Sequence, residues 1–276
     1  MRFGAITNSW RPNLAEEDLA SLVAKAEARG ARHIELRQSY LGNCEIGEGE
    51  EWLPEYSNLQ ELVASFPNLS FNLAIAWPCL TKSSDPTSAQ FQAVLKAATV
   101  IDSKAPHIRL VDTASFDHAW ESAAQIPEEA MGVAALAREA AFHEINLSIE
   151  NSGQPIRSLH LLLKRVRERL TDKEATYLGL CPDPANQLRN YPGSDPLQEL
   201  EELSLGVLKI VHFKQSRNGE PHPTVDTGDL DCARMVQILQ AKKFRGPAIM
   251  EIPPHERIFD NLSASFSFIE AAIRRS

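Results

Sequence analysis

The sequence has no uninterrupted apolar run that approaches the roughly 20 residues of a membrane-spanning helix, so we expect no membrane partner. Cysteine is also scarce, since the chain contains only Cys44, Cys79, Cys181 and Cys232, and no CxxC pair. This usage is typical of reduced thiols in a cytoplasm, although an even number also allows two disulfides. Residues 1–7 lead directly into a strand-like run and show no secretory leader pattern. We therefore expect a cytoplasmic protein.

Positive charge is not in excess either. The formal net charge is -9 and the pI is about 5.4, so the surface repels polyanions such as a nucleic-acid backbone. No glycine-rich dinucleotide-binding fingerprint follows the first strand-like run, which argues against an open dinucleotide-binding sheet. What is present, 43% hydrophobic and 24% charged residues, is typical of a globular protein with a sizeable core.

Eight strand-like runs alternate with helical patterns along the 276 residues. The strand-like runs are residues 2–7, 33–37, 69–76, 107–111, 146–150, 176–181, 206–213 and 247–252. The helical patterns cover residues 14–29, 58–65, 88–101, 127–142, 159–170, 229–241 and 262–274. Such alternation requires a parallel sheet with helices outside it, and eight units of roughly 30 to 35 residues match a closed barrel. No composition break marks a boundary, so the sequence predicts a single-domain (β/α)8 TIM barrel over residues 1–276.

The four last apolar runs each end in a residue that can bind a metal ion: Glu150, Asp183, His212 and Glu251. Burying an ionised carboxylate at the end of a core strand costs roughly several kcal/mol unless a cation pairs with it. Functional residues of such barrels lie at the carboxyl ends of the strands, so these four converge at one side of the mouth. Three carboxylates and one imidazole suit one divalent ion, Mn²⁺, Mg²⁺ or Co²⁺, with Zn²⁺ as an alternative.

Taken singly, each of these residues has a simpler explanation. A strand-end acid is more often solvated or paired in a salt bridge, and a single histidine is more often a hydrogen-bonded core residue. Four such residues on four consecutive strands, all at the same end, favour the metal site.

Six segments resemble the strand-end motifs of the xylose-isomerase-like TIM-barrel superfamily, which includes proteins of the sugar-phosphate isomerase/epimerase type. Its metal motifs resemble Ile149-Glu150-Asn151, Cys181-Pro182-Asp183-Pro184-Ala185-Asn186, Val211-His212-Phe213-Lys214 and Met250-Glu251-Ile252. Its second and fourth strands resemble Ile34-Glu35-Leu36-Arg37 and Ile108-Arg109-Leu110. The resemblance thus spans nearly the whole chain. It departs at Gln215, where many relatives carry an aspartate after the lysine.

The resemblance implies a divalent-metal-dependent isomerase or epimerase of a small keto-sugar or related polyol. A substrate that chelates the ion through a carbonyl and a neighbouring hydroxyl has its adjacent C–H acidified, because the ion stabilises the enediolate. Resemblance to the ketose epimerases implies that Glu150 and Glu251 are ligands and also the catalytic pair. One removes a proton from one face and the other returns it to the opposite face. Asp183 and His212 would be ligands only.

Two other functions of the same superfamily are alternatives. If the second carboxylate protonates a leaving hydroxyl, the site becomes a dehydratase (a lyase) of a keto-inositol or dehydroshikimate-like substrate. Endonuclease IV-like DNA repair is remote, because that type has a trinuclear zinc site with several more strand-end histidines. The eight histidines here lie mostly in loops or helices, and the charge is negative. We therefore expect a small-molecule substrate and no nucleic acid; relatives often form dimers, so a homodimer is compatible with the sequence.

Five further residues are candidate substrate contacts. Arg217 and Lys214 follow strand seven, where the family often carries a basic residue that contacts substrate oxygens; a solvated charged loop is the alternative. Asn186 stands where several ketose epimerases have a substrate-binding histidine, and an amide binds a hydroxyl but does not titrate near neutral pH. Glu35 and Arg109 end strands two and four, where substrate contact and a structural ion pair are equally compatible with the sequence.

Overall fold

Eight parallel strands surround the centre of the molecule in a computed structural model that describes residues 1–275. The strands are β1 Arg2–Ile6, β2 His33–Arg37, β3 Ser70–Ala76, β4 His107–Val111, β5 Asn146–Glu150, β6 Leu178–Cys181, β7 Val211–Phe213 and β8 Pro247–Met250. Each strand from β1 to β5 pairs in parallel with the next, and β7 pairs with β8, which pairs with β1. The predicted (β/α)8 barrel is confirmed.

The barrel closes between β6 and β7 through a single bridge, Leu180 to Leu208. Two backbone hydrogen bonds support this seam: Lys209 N donates to Leu180 O (3.1 Å) and His212 N donates to Pro182 O (3.0 Å). Gly179 makes the close approach feasible, because a Cβ there would lie 2.4 Å from the Val207 carbonyl oxygen. The seam is therefore the weakest lateral junction of the sheet.

Ten helices lie outside the strands in the part of the chain that the structure describes. They are α1 Leu19–Ala28, α2 Tyr56–Ser65, α3 Ala89–Ile101, α4 Val133–Phe142, α5 Ile156–Arg167, α6 Asp172–Tyr177, α7 Pro184–Asn190, α8 Pro196–Glu202, α9 Cys232–Ala241 and α10 Ile258–Arg275. Their buried apolar faces and the outward side chains of the strands form one large hydrophobic core. None of the helices in residues 1–275 has the length and apolarity needed to cross a bilayer.

The sequence patterns misplaced several boundaries. The apolar run 206–213 was predicted as one strand, but Leu205–Val207 forms a 3-10 turn and β7 starts only at residue 211. The first residues of the predicted strand 176–181 belong instead to α6, because the capping box formed by Thr171 and Glu174 starts a helix before the strand. The short helices α6, α7 and α8 were not predicted, because six or seven residues are too few to show a helical period.

The loop after β7 folds into a small hairpin, Ser216–Arg217 paired with Glu220–Pro221. Gln215 anchors it: its amide nitrogen donates to Asp226 O (2.6 Å) and Leu230 O (2.9 Å), while its oxygen accepts from Leu230 N (3.0 Å). A carboxylate at this position has no hydrogen to donate at neutral pH, so the glutamine gives this loop a different anchor.

Candidate metal centre

The four predicted ligand residues lie together at the carboxyl end of the barrel. One potential ligand atom from each of Glu150, Asp183, His212 and Glu251 lies within 4.8 Å of all the others. Glu150 ends β5, His212 lies within β7, and Asp183 and Glu251 follow β6 and β8 directly. Because these strands are parallel, their carboxyl ends deliver the four side chains to one place.

Asp183 is held in a fixed direction by its own local sequence. The Asp183-Pro184 pair starts α7, with Pro184 in the first turn and Asp183 as the N-cap residue, whose Oδ1 accepts from Asn186 N at 2.9 Å. Asn151 also braces the Asp183 backbone, since its amide nitrogen donates to Asp183 O at 2.9 Å. One carboxylate oxygen is used as the cap, and the other, Oδ2, points to the cluster.

His212 is oriented by a buried carboxylate behind it. Its Nε2 donates to Glu35 Oε2 at 2.8 Å, and both side chains have no exposed surface. With the proton on Nε2, Nδ1 faces the other three residues as a potential ligand atom. Metal-binding histidines in proteins are commonly held in this way by a carboxylate on the second ring nitrogen. The remaining barrel-strand histidines, His33 and His107, lie at the opposite end of the strands.

Three buried atoms of the cluster lack a hydrogen-bond partner among the described residues: Asp183 Oδ2, His212 Nδ1 and Glu251 Oε2. His212 Nδ1 lies 2.8 Å from Glu251 Oε2 and 3.7 Å from Asp183 Oδ2, yet neither approach has hydrogen-bonding geometry. The Lys214 ammonium forms ion pairs with the two carboxylate oxygens, so three potential ligand atoms that face one point without a hydrogen bond indicate a site for a shared cationic partner. Carboxylate and imidazole atoms fit a divalent ion as that partner.

Glu150 is the most heavily braced of the ligands. Arg109 Nη1 donates to its Oε2, and Asn186 Nδ2 donates to its Oε1 at 3.0 Å. Arg109 also reaches back to Glu35, with Nε 2.9 Å from Oε1. Arg109 and Glu35 are buried, so together with His212 they form an ionic layer directly beneath the cluster.

Lys214 brings a positive charge to the cluster from above. Its ammonium lies 2.8 Å from Asp183 Oδ2, 2.9 Å from Glu251 Oε2 and 3.9 Å from Glu150 Oε1. It also donates to Asn186 Oδ1 at 3.2 Å. The predicted contact residues Lys214 and Asn186 are therefore part of the cluster itself.

The charges around the cluster keep its acids ionised. Burial acts to raise the pKa of Glu251 and of Asp183, but Lys214 and His212 outweigh it and lower both pKa values. Burial likewise opposes ionisation of Glu35, yet Arg109 and His212 hold its pKa below the ordinary range. The four carboxylates of the centre and the layer beneath it (Glu35, Glu150, Asp183 and Glu251) outnumber the fixed cations Arg109 and Lys214, which suits the site to a further cation.

A cavity of about 570 Å³ opens directly above the cluster. Glu251, Lys214, Asn186 and Asn8 form its polar end. Its other walls are largely apolar and include Leu188, Pro192, Ile252, Pro253 and Pro254. A volume of this size with few polar groups at one end is typical of a site for a small molecule.

Arg217 is the predicted contact residue that the structure takes farthest from the cluster. The hairpin after β7 carries it outward, where Nε donates to Thr227 O (2.7 Å) and Nη2 pairs with Asp226 Oδ1 (3.1 Å). Arg217 does not line the cavity, whereas Ser216 and Gly219 of the same hairpin do.

Two cavity residues were missed by sequence reasoning. Asn8 follows β1, and its amide nitrogen donates to Glu251 Oε1 at 2.9 Å. Its position directly after a barrel strand was the available signal. Arg189 lies in α7, one turn after Asn186, and no pattern in the sequence revealed that short helix.

The sequence profile of the xylose isomerase-like TIM barrel family matches residues 10–271, so this chain belongs to that family. No curated protein matches the sequence. Similar solved structures include the probable 3-DHS dehydratase AsbF involved in petrobactin synthesis from Bacillus anthracis, with 15% identity, a TM-score of 0.73 and coverage of 100% of both chains.

Two other similar structures carry different names. IolI protein with a bound zinc atom has 12% identity and a TM-score of 0.67, and the match covers 100% of this chain and 97% of that one. L-ribulose 3-epimerase has 15% identity and a TM-score of 0.67, and the match covers 99% of this chain and 96% of that one. At these identities the likeness concerns the fold. The names nonetheless span an epimerase and a dehydratase.

Proposed function

We propose that this protein is a divalent-metal-dependent isomerase or epimerase of a small keto-sugar or related polyol. The observation that carries the proposal is that Asp183 Oδ2, His212 Nδ1 and Glu251 Oε2 converge at the polar end of a cavity for a small molecule and make no hydrogen bond, although Lys214 forms ion pairs with the two carboxylate oxygens. The family membership and the named epimerase among similar structures support it.

Glu150, Asp183, His212 and Glu251 would hold the ion. The oxygen-rich set suits Mn²⁺, Mg²⁺ or Co²⁺, and the zinc of the similar IolI structure supports Zn²⁺ as an alternative. When bound, the ion would acidify the C–H group beside a chelated carbonyl.

The two glutamates supply the proton transfers. Glu251 lines the cavity, and its Oε2 faces the cluster in an ion pair with Lys214, so it is placed to remove or return the proton at the substrate carbon. Glu150 reaches the same point from β5, three strands away from β8, and is the partner for the opposite face. Arg109 contacts Glu150, and Lys214 lowers the pKa of Glu251, which favours the ionised, basic form of Glu251.

Neighbouring polar groups orient the substrate. Asn8 Oδ1 is buried and has no hydrogen-bond partner in the described structure, so it is free to accept from a substrate hydroxyl. Lys214 and Asn186 line the same end of the cavity. This arrangement fixes a polyol chain by several hydroxyl contacts while the apolar walls exclude water.

The reaction class is tested by incubating the Mn²⁺-loaded protein with a panel of keto-sugars in D₂O. Solvent deuterium next to the carbonyl, without loss of water, is the expected result and is read by mass spectrometry and NMR. Glu121→Gln, an exposed surface variant (71% exposed side chain), serves as the control and retains the exchange. Loss of water, or an ultraviolet-absorbing enone, would overturn the proposal in favour of a dehydratase.

A further inference from the structure

The cavity above the cluster has two cationic residues in its lining, and only one of them is neutralised. Lys214 contacts three carboxylates. Arg189 has no carboxylate within salt-bridge distance among residues 1–275, and its one hydrogen bond goes to Asn186 Oδ1 at 3.4 Å. An arginine at a cavity wall without an acidic partner is a positive charge available to a ligand.

The two acidic residues that line the cavity, Asp229 and Glu251, already have other partners. Asp229 accepts three hydrogen bonds from the hairpin after β7: from Ser216 Oγ (2.8 Å), Gly219 N (2.9 Å) and Asn218 N (3.0 Å). Glu251 is engaged by Asn8 and Lys214. Neither carboxylate therefore serves Arg189 as a partner.

The position of Arg189 relative to the metal centre is fixed by α7. Asp183 caps this helix, Asn186 in its first turn donates to Glu150, and Arg189 follows one turn later on the same face. The guanidinium and the ligand cluster therefore lie at two places along one cavity wall. A substrate chain that is chelated at one end runs past Asn186 to the arginine.

We propose that Arg189 binds an anionic group, a carboxylate or a phosphate, on the substrate at the end remote from the metal centre. The substrate class is accordingly a keto-sugar acid or a keto-sugar phosphate instead of a neutral ketose. A planar guanidinium binds either anion through two parallel hydrogen bonds. In a protein with a net charge of -9, such a local cation is needed to attract an anionic substrate. This inference rests on the proposed function only for the position of the chelated end.

Matched probe pairs test the inference by binding affinity. Isothermal titration of the Mn²⁺-loaded protein compares D-ribulose with D-ribulose 5-phosphate and D-fructose with its C6 acid, D-fructuronate. The expected result is about tenfold or greater preference for the anionic member of at least one pair, and which pair shows it distinguishes phosphate from carboxylate. Arg189→Gln is expected to abolish that preference, because it weakens binding of the anionic probe much more than binding of the neutral ketose.

Two further variants separate charge recognition from a structural role. Arg189→Lys keeps the positive charge but lacks the planar guanidinium with its two parallel N–H donors. It is therefore expected to retain part of the preference for the anionic probe. Arg165→Gln removes an exposed arginine on α5, paired with Glu168, and is expected to keep all of it.

Equal affinity for charged and neutral probes, absence of binding by either pair, or an equal loss of both affinities in Arg189→Gln would overturn the inference. A charge preference without deuterium exchange would refute the proposed reaction while leaving the inference intact.

Discussion

The two ends of the barrel interior use the same residue type in opposite ways. At the amino end, burial lowers the pKa of His33 to about 4 and that of His107 to about 3, so both rings are neutral. At the carboxyl end, burial also acts to lower the pKa of His212, but Glu35 and Glu150 outweigh it and raise that pKa well above its ordinary value. At similar burial, the neighbouring carboxylates therefore set the direction of a histidine's pKa shift in this barrel.

The two ends are also connected. His33 Nε2 donates to Asn72 Oδ1 (2.7 Å), and Asn72 Nδ2 donates to Glu35 Oε1 (3.0 Å). Arg109 then joins Glu35 to Glu150. A single polar chain thus runs through the barrel, neutral at one end and ionic at the other, and it can be broken separately at each end.

Glu150→Gln breaks the ionic end and has the largest expected effect. The amide removes a ligand charge and one of the two acid/base groups, so turnover should fall by about 10²- to 10⁴-fold. Mn²⁺ binding, measured by isothermal titration, should weaken in parallel. Glu121→Gln is the matched control on the surface. If the variant keeps near-normal turnover and metal content, the site assignment is wrong.

Arg109→Met breaks the junction between the two ends. It leaves Glu35 and Glu150 buried without their shared cation, and the free energy of unfolding should drop by about 3 to 5 kcal/mol. Urea denaturation followed by circular dichroism measures this change. Arg165→Met, which removes an exposed pair with Glu168, should change it by less than about 0.5 kcal/mol. Equal effects of the two variants would show that the buried layer does not depend on Arg109.

His107→Gln tests the neutral end of the polar chain and has the smallest expected effect of the three variants. The unfolded chain protonates histidine below a pKa of about 6.5, whereas folded His107 stays neutral to about pH 3, so the unfolded state binds more protons. Stability is therefore complete above about pH 6.5 and declines as the pH falls, by about 1.4 kcal/mol per pH unit for this histidine.

The glutamine amide can keep the hydrogen bond to Ser148, which His107 makes at 2.8 Å, but cannot take up a proton. Unfolding free energies measured by urea titration at several pH values between about 6.5 and 4.5 should fall less steeply in this variant. His143→Gln, at the exposed C-cap position of α4, should leave the slope as it is. An unchanged slope in His107→Gln would contradict the neutral, buried assignment.

The barrel and the meeting of the four strand-end residues could be predicted because both follow from periodicity and parallel topology. The parallel sheet brings Glu150, Asp183, His212 and Glu251 together whatever the loops do. What each of them does in a reaction stays a prediction. The roles of Glu35 and Arg109 did not follow, because pairing across the barrel depends on which inward side chains face each other in three dimensions.

Loop conformation limited how much of the cavity lining could be predicted from the sequence. The sequence places Arg217 five residues after His212, but the hairpin turns it outward to Asp226. Arg189 reaches the cavity only because Asp183 starts a seven-residue helix, and such a short helix leaves no period to detect. Local turn chemistry, which pattern alone does not fix, therefore decides which basic residue lines the cavity.

The seam between β6 and β7 gives the centre a mechanical role in the barrel. Asp183 and His212 stand on opposite sides of this junction, which the sheet joins by one bridge and two backbone hydrogen bonds. An ion bound by the two side chains would cross-link the strands that the backbone connects least. Metal binding would then oppose local opening of the barrel, and exchange of the amide hydrogens of Leu180 and Lys209 would report on it.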